Sequence, residues 1–169
     1  MKKLFLAIMM ACTCTLQSNA QEIYTEIKAM AQEVIDNPQA NPIIKQMNTF
    51  KLTALNYMGM KMRETMPDST AAFLDKEALA LYNFMTIYTQ TLAENSQQPA
   101  AYQTKLIELF MDASYSNPLF NDTDKDYVRQ YFVKGDCLTR FSLDTDWLRA
   151  LKAVDTELKR GNDSCLFFI

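Results

Sequence analysis

The sequence predicts an all-α fold, a compact bundle of five to six amphipathic helices, on three observations. Apolar residues recur at alternating spacings of four and three along most of the chain. Prolines, glycines and Asn/Ser clusters fall where those periodic stretches stop. The chain has 169 residues, 49% apolar and 22% charged, with three Gly and five Pro, the make-up of one ordinary globular domain.

Residues 1–20 have the three parts of a secretory signal peptide: Lys2 and Lys3, the apolar run Leu4 to Ala11, then Ser18-Asn19-Ala20, small at its first and last positions. The mature chain is expected to start at Gln21. That run is much shorter than the ~18–20 residues a spanning helix needs, and no later segment comes close, so no transmembrane segment is expected. Cys12, just after the run, offers a second reading in which it is acylated and anchors the chain, although Met9-Met10-Ala11 fits the usual Leu-led box poorly. Residues 21–160 then form a single helical domain, and residues 161–169 an apolar C-terminal tail.

Six helices are expected in that domain. The first, about Glu22 to Asp36, places Ile23, Ile27, Met30 and Val34 on one face and stops before Asn37-Pro38, because a residue before proline avoids the α region. The second begins at Pro42 behind Asn41 as N-cap, carries Ile43, Met47, Phe50, Ala54 and Tyr57, and ends near Met66-Pro67. The third follows Asp68-Ser69 with the most regular stripe, Leu74, Ala78, Leu81, Met85, Tyr88 and Leu92. It should be central, with Asp75 and Glu94 solvated near its ends. After the short link from Asn95 to Pro99, Tyr102, Leu106, Leu109 and Ala113 set a fourth face antiparallel to the third. Thr123 and Asp126 have capping-box spacing for a fifth helix, with Tyr127, Val128, Tyr131 and Phe132 inward, closed by Lys134-Gly135. The sixth runs from about Asp144 to Arg160 with Trp147, Leu151, Val154 and Leu158 on its face, and Gly161 closes it.

Composition also closes several chemistries. The chain has no His, which removes Ser-His and Cys-His nucleophile pairs, His metal sites and a His pH switch. Glycines at 59, 135 and 161 cannot build a Gly-rich phosphate loop. Once Lys2 and Lys3 leave, 15 basic residues face 20 acidic ones, scattered without a basic block, so no nucleic-acid partner is expected. No cofactor is expected either. Cys137 and Cys165 remain in an oxidising compartment as a disulfide candidate that would close a loop of ~28 residues, worth about 3.5 kcal/mol on the chain-entropy model. The alternative is two thiols.

The wording of Phe50 to Glu64 (FKLTALNYMGMKMRE) and Phe110 to Asp122 (FMDASYSNPLFND) resembles a group of small secreted all-helical proteins of gut bacteria. The resemblance covers about residues 42–160, and it implies secretion and a helical fold without carrying over any site residue.

Four constellations bear on function. Met58, Met60 and Met62, with Met66, are soft thioethers that suit Cu(I), but on a helix Met58, Met62 and Met66 share one face while Met60 points away, which favours core filling. Asp122-Thr123-Asp124-Lys125-Asp126 starts like a calcium loop, yet the required Gly is Tyr127 and the closing Glu is Val133. An acidic helix start explains the same residues. Glu64 with Asp68 and Glu108 with Asp112 sit at i, i+4 and would be the carboxylates of a hydrolase, although such pairs more often lie on a solvated face. Tyr115, Asn117, Leu119 and Phe120 form the candidate interaction loop, whose aromatics either grip a partner or tuck under the following helix. The expected function is therefore an exported, non-catalytic binding protein of the cell envelope, secreted or periplasmic, with an unknown protein or envelope component as partner. The alternatives are an envelope hydrolase using paired carboxylates and a carrier of an apolar ligand.

Overall fold

The computed structural model describes residues 22–68, 71–134 and 137–165, and their side chains except those of 130–138 and 161–165. It is an all-α bundle with one hairpin set into it. The elements are α1 (Glu22–Asp36), α2 (Pro42–Thr65), α3 (Ala71–Glu94), α4 (Ala100–Tyr115), α5 (Lys125–Val128), β1 (Arg129–Lys134), β2 (Cys137–Ser142) and α6 (Trp147–Cys165). Among the described residues no helix is long and apolar enough to cross a membrane.

The helix boundaries follow local chemistry. Pro42 occupies the first turn of α2, where its missing N–H costs nothing, and the Asn41 side chain accepts from the Ile43 N–H at 2.9 Å. α1 is capped from a distance, because Asp75 of α3 accepts from the Tyr24 N–H at 2.9 Å. Asp75 is thus half-buried and structural rather than simply solvated. α1 also lies close to α2 at Gly59. A Cβ there would stand 2.5 Å from the Tyr24 hydroxyl, which donates to the Leu55 carbonyl at 3.0 Å.

The fifth helix is much shorter than the sequence suggested. Only Lys125–Val128 is helical, and Arg129–Lys134 pairs antiparallel with Cys137–Ser142, Arg129 opposite Ser142 and Lys134 opposite Cys137. Two runs rich in β-branched and aromatic residues, Tyr131-Phe132-Val133 and Leu138 to Phe141, stand on either side of Gly135-Asp136, and that composition suits a hairpin better than a helix cap. Tyr127, expected inside, is 51% exposed, whereas Val128 is buried. α6 starts at Trp147, three residues later than expected, and its backbone stays helical through Gly161 to Cys165.

Along β2 the side chains alternate, so Thr139 and Phe141 point inward while Arg140 is exposed. Phe141 reaches the centre of the bundle, with ring centroids 5.4 Å from Phe84, 5.3 Å from Tyr88 and 5.6 Å from Phe50. Trp147 closes the same cluster at 5.3 Å from Phe84, and all five side chains are buried. Edge-to-face pairs of this kind contribute about 0.5–1.5 kcal/mol each beyond the area they bury. The Tyr88 hydroxyl, which must find a partner in so apolar a place, lies 2.6 Å from that of Thr139.

Candidate functional site

The loop that joins α4 to α5 is organised by one carboxylate. Asp144, only 2% exposed, accepts from the backbone N–H of Leu119 at 3.1 Å and of Phe120 at 2.7 Å through Oδ1, and from that of Asp122 at 2.8 Å through Oδ2. Between the last two, Asn121 adopts a left-handed φ of 55°, which asparagine tolerates better than most residues. Asp144, which the sequence had placed at the start of the last helix, is instead the hub of this loop.

The four residues of the candidate interaction loop are therefore largely held. Leu119 and Phe120 are half-buried and pack on the core. Asn117 donates its side-chain amide to the Ala113 carbonyl at 2.8 Å, and its own carbonyl accepts from the Asp146 N–H at 2.7 Å. Tyr115 lies under the Arg129 guanidinium, 5.4 Å from the ring centroid, and burial pushes its phenol up.

Beside this loop, Asp122 Oδ2 accepts from the Tyr57 hydroxyl at 2.9 Å and pairs with the Lys61 ammonium at 3.0 Å. Lys61 is the main reason the Asp122 carboxyl is held down at about 2, with help from the Asp124 N–H and Tyr57. Burial first, and then the Asp122 and Asp144 carboxylates, push the Tyr57 phenol far above its ordinary range. Asp122 Oδ1 accepts from the Asp124 N–H, and Asp124 accepts from the Tyr127 N–H, so these acids serve the loop and the start of α5.

A second carboxyl is buried without a full set of partners. Glu77, 1% exposed on the core face of α3, accepts from the Trp147 N–H at 2.8 Å and so caps α6. Glu77 Oε1 and Trp147 Nε1 have no hydrogen-bond partner among the described residues. Burial, reinforced by the Asp146 charge, pushes its carboxyl up to about 7. The sign follows from an ordinary value of 4.5: the stability Glu77 contributes is whole below about pH 4.5 and is lost as pH rises through about 7. Glu77→Gln keeps an accepting oxygen and never ionises. It should match the wild type near pH 4.5 and exceed it by about 1–3 kcal/mol near pH 8.5, read by denaturant unfolding at the two pH values.

The remaining feature is a groove between α1, α2 and α3, of about 250 Å³, lined by Ile27, Met30, Ala31, Val34, Asn48, Lys51 and Tyr82. Lys51 is half-buried in it, with its ammonium 5.4 Å from the Tyr82 ring centroid. Among the described residues no carboxylate pairs with it, and burial pulls its pKa down. Asn48, one turn earlier on the same face, donates its side-chain amide to the Ile44 carbonyl at 2.8 Å. Met30 and Tyr82 are 47% and 38% exposed at the rim. Ile44, one turn from Asn48 on α2, and Leu79, one turn from Tyr82 on α3, are also exposed.

The other motifs fall elsewhere. α2 is continuous through its methionines, with Met58 and Met62 buried on the core face and Met60 half-buried apart from them. Glu108 and Asp112 are exposed on the surface of α4, whereas Glu64 stands at the end of α2 and Asp68 in the turn beyond it, both exposed, so the expected i, i+4 helical pairing of Glu64 with Asp68 is not formed. The side chains of Cys137 and Cys165 lie outside the described ones, as does Cys12. No protein-family model, curated protein or solved structure matches the chain.

Proposed function

We propose that this chain is an exported binding protein of the bacterial cell envelope that works from its surface without catalysing a reaction. The observation that carries the reading is a filled aromatic core beside a groove whose rim leaves two large apolar side chains, Met30 and Tyr82, partly in water. Exposed apolar side chains are common singly, but a pair gathered around one concavity marks an interaction surface. The carboxylates drawn inside, Asp144 and Glu77, are engaged by backbone N–H groups, which is structural work. A carrier would need an internal cavity, whereas this groove is open at the surface.

Capture from an envelope extract tests the reading. The immobilised mature protein should retain a component that the Met30→Asp/Tyr82→Asp variant does not. Equal recovery by both, with the variant folded, overturns it. We further propose that the exported protein begins at Gln21 without an acyl group and that Cys137 and Cys165 form one intramolecular bridge, supported by the leader pattern and by an even count of cysteines after cleavage. Intact mass after alkylation under denaturing, non-reducing conditions should show that start and no alkylated thiol. A chain starting at Cys12, or carrying two alkyl groups, rejects the corresponding part.

A further inference from the structure

We propose that the groove between α1, α2 and α3 receives an acidic side chain of a partner protein, its carboxylate on the Lys51 ammonium and its apolar neighbours over Met30 and Tyr82. The inference rests on the binding reading above and names what the partner presents. Lys51 is the only charged residue that lines the groove among the described ones. It is half-buried, with its ammonium 5.4 Å from the Tyr82 ring centroid, and a ring face is a weak substitute for an anion. The chain has 20 acidic residues to 17 basic ones, so carboxylates are in excess. Lys61 takes Asp122, Arg149 takes Asp146 and Lys159 takes Asp155, yet no described carboxylate pairs with Lys51. Burial lowers its pKa, and no described acid opposes that shift. A partly desolvated ammonium without a counter-ion carries a cost that a carboxylate arriving with a partner removes.

Charge, rim and size together select this occupant. A single ammonium matches one carboxylate, whereas a phosphate dianion or a nucleic-acid backbone calls for several basic groups. Met30 and Tyr82, exposed at the rim, would stay in water around a small free anion, whereas the residues that flank an acidic side chain in a partner protein would cover them. A covered rim also keeps water from the ion pair and so strengthens it. The volume, about 250 Å³, lies below the ~300–1,000 Å³ typical of small-molecule pockets and suits one side chain. Ile27 and Ala31 are already packed into the core, so the contact is made by the rim and by Lys51 rather than along α1.

Nuclear magnetic resonance titration of the mature protein with the peptide acetyl-Leu-Glu-Leu-amide and, separately, acetyl-Leu-Gln-Leu-amide tests the assignment. The Glu peptide should shift the Tyr82 ring and Lys51 side-chain signals to saturation, and the Gln peptide should bind about 5-fold more weakly, the worth of a partly exposed ion pair. Lys51→Met, which keeps the aliphatic stem and removes the charge, should bring the Glu peptide down to the affinity of the Gln peptide. Lys51→Arg should keep most of the preference, and Lys105→Met, on exposed α4 surface, should keep all of it. No saturating shift at Tyr82 and Lys51, equal affinity of the two peptides, or a preference that survives Lys51→Met overturns the proposal. Capture from the envelope extract separates it from the binding reading. A component lost with Met30→Asp/Tyr82→Asp and with Lys51→Met, but kept with Lys51→Arg, supports both. A component lost with the first variant yet fully held by Lys51→Met overturns the carboxylate and leaves the binding reading standing. If the wild type captures nothing, the binding reading falls and the two peptides alone decide the carboxylate seat.

Discussion

Asp144→Ala is expected to destabilise the fold by about 4 kcal/mol, more than any other single polar substitution in the described residues. Three backbone N–H groups lose their acceptor at once, those of Leu119, Phe120 and Asp122. All three sit in a partly buried loop that has no ladder of its own to fall back on. Hydrogen bonds to a charged acceptor contribute about 1.5–3 kcal/mol each, and the sum is reduced because part of the loop can reach water once it loosens. Asp144→Asn should cost about 2 kcal/mol, because one oxygen can keep the Leu119 and Phe120 bonds while the amide nitrogen faces the Asp122 N–H as a second donor. Denaturant unfolding gives the energies, and amide exchange at Leu119, Phe120 and Asp122 localises them. A loss under about 1 kcal/mol for Asp144→Ala would mean that the loop is held by Leu119 and Phe120 packing alone.

Leu81→Ala should cost about 2–5 kcal/mol and Met85→Ala a similar amount, while Glu94→Ala stays within about 0.5 kcal/mol. Leu81 is fully buried and Met85 is 1% exposed, at the middle of α3, the helix that meets α1, α2, α4 and α6. A cavity there is surrounded on every side and cannot be relieved by fraying. Glu94, the last residue of α3, faces water. The four chains, wild type included, compared by denaturant midpoint at constant slope, decide it. Equal midpoints for Leu81→Ala and Glu94→Ala would remove α3 from the centre.

Helix spacing was legible wherever the stripe was long. α2, α3 and α4 begin and end within a few residues of their expected limits, because proline and capping asparagine act locally and need no tertiary information. The hairpin was missed because Tyr127, Val128, Tyr131 and Phe132 also satisfy a helical period over a few residues, and short apolar runs do not distinguish the two periods. Gly135-Asp136 between two β-prone runs was the available signal. Met30 was placed on the buried face of α1, yet Ala31 took the interior and Met30 the groove rim. Two groups central to the sites were visible as anomalies. Glu77 follows Leu74 by three residues and precedes Leu81 by four, and Lys51 follows Met47 by four and precedes Ala54 by three, so each puts a charge on an apolar stripe. Asp144 gave no such signal, since its partners lie 22 to 25 residues away and depend on a loop shape that only the folded chain defines.

Phe141 and Trp147 sit at the middle of a core whose other walls, Phe50, Phe84 and Tyr88, come from helices much earlier in the chain. Glu77 meets Trp147 across 70 residues of sequence and Tyr88 meets Thr139 across 51. A bundle in which each helix packs only on its neighbour can settle progressively as it emerges, because every contact closes a short loop. Here the first four helices surround a space that is filled from the C-terminal end, so they have no complete interior until the hairpin and α6 arrive. A chain cut off before the hairpin is accordingly expected to lack a complete core, and its four helices to stay open and unpacked, as near-ultraviolet circular dichroism of such a truncation would show.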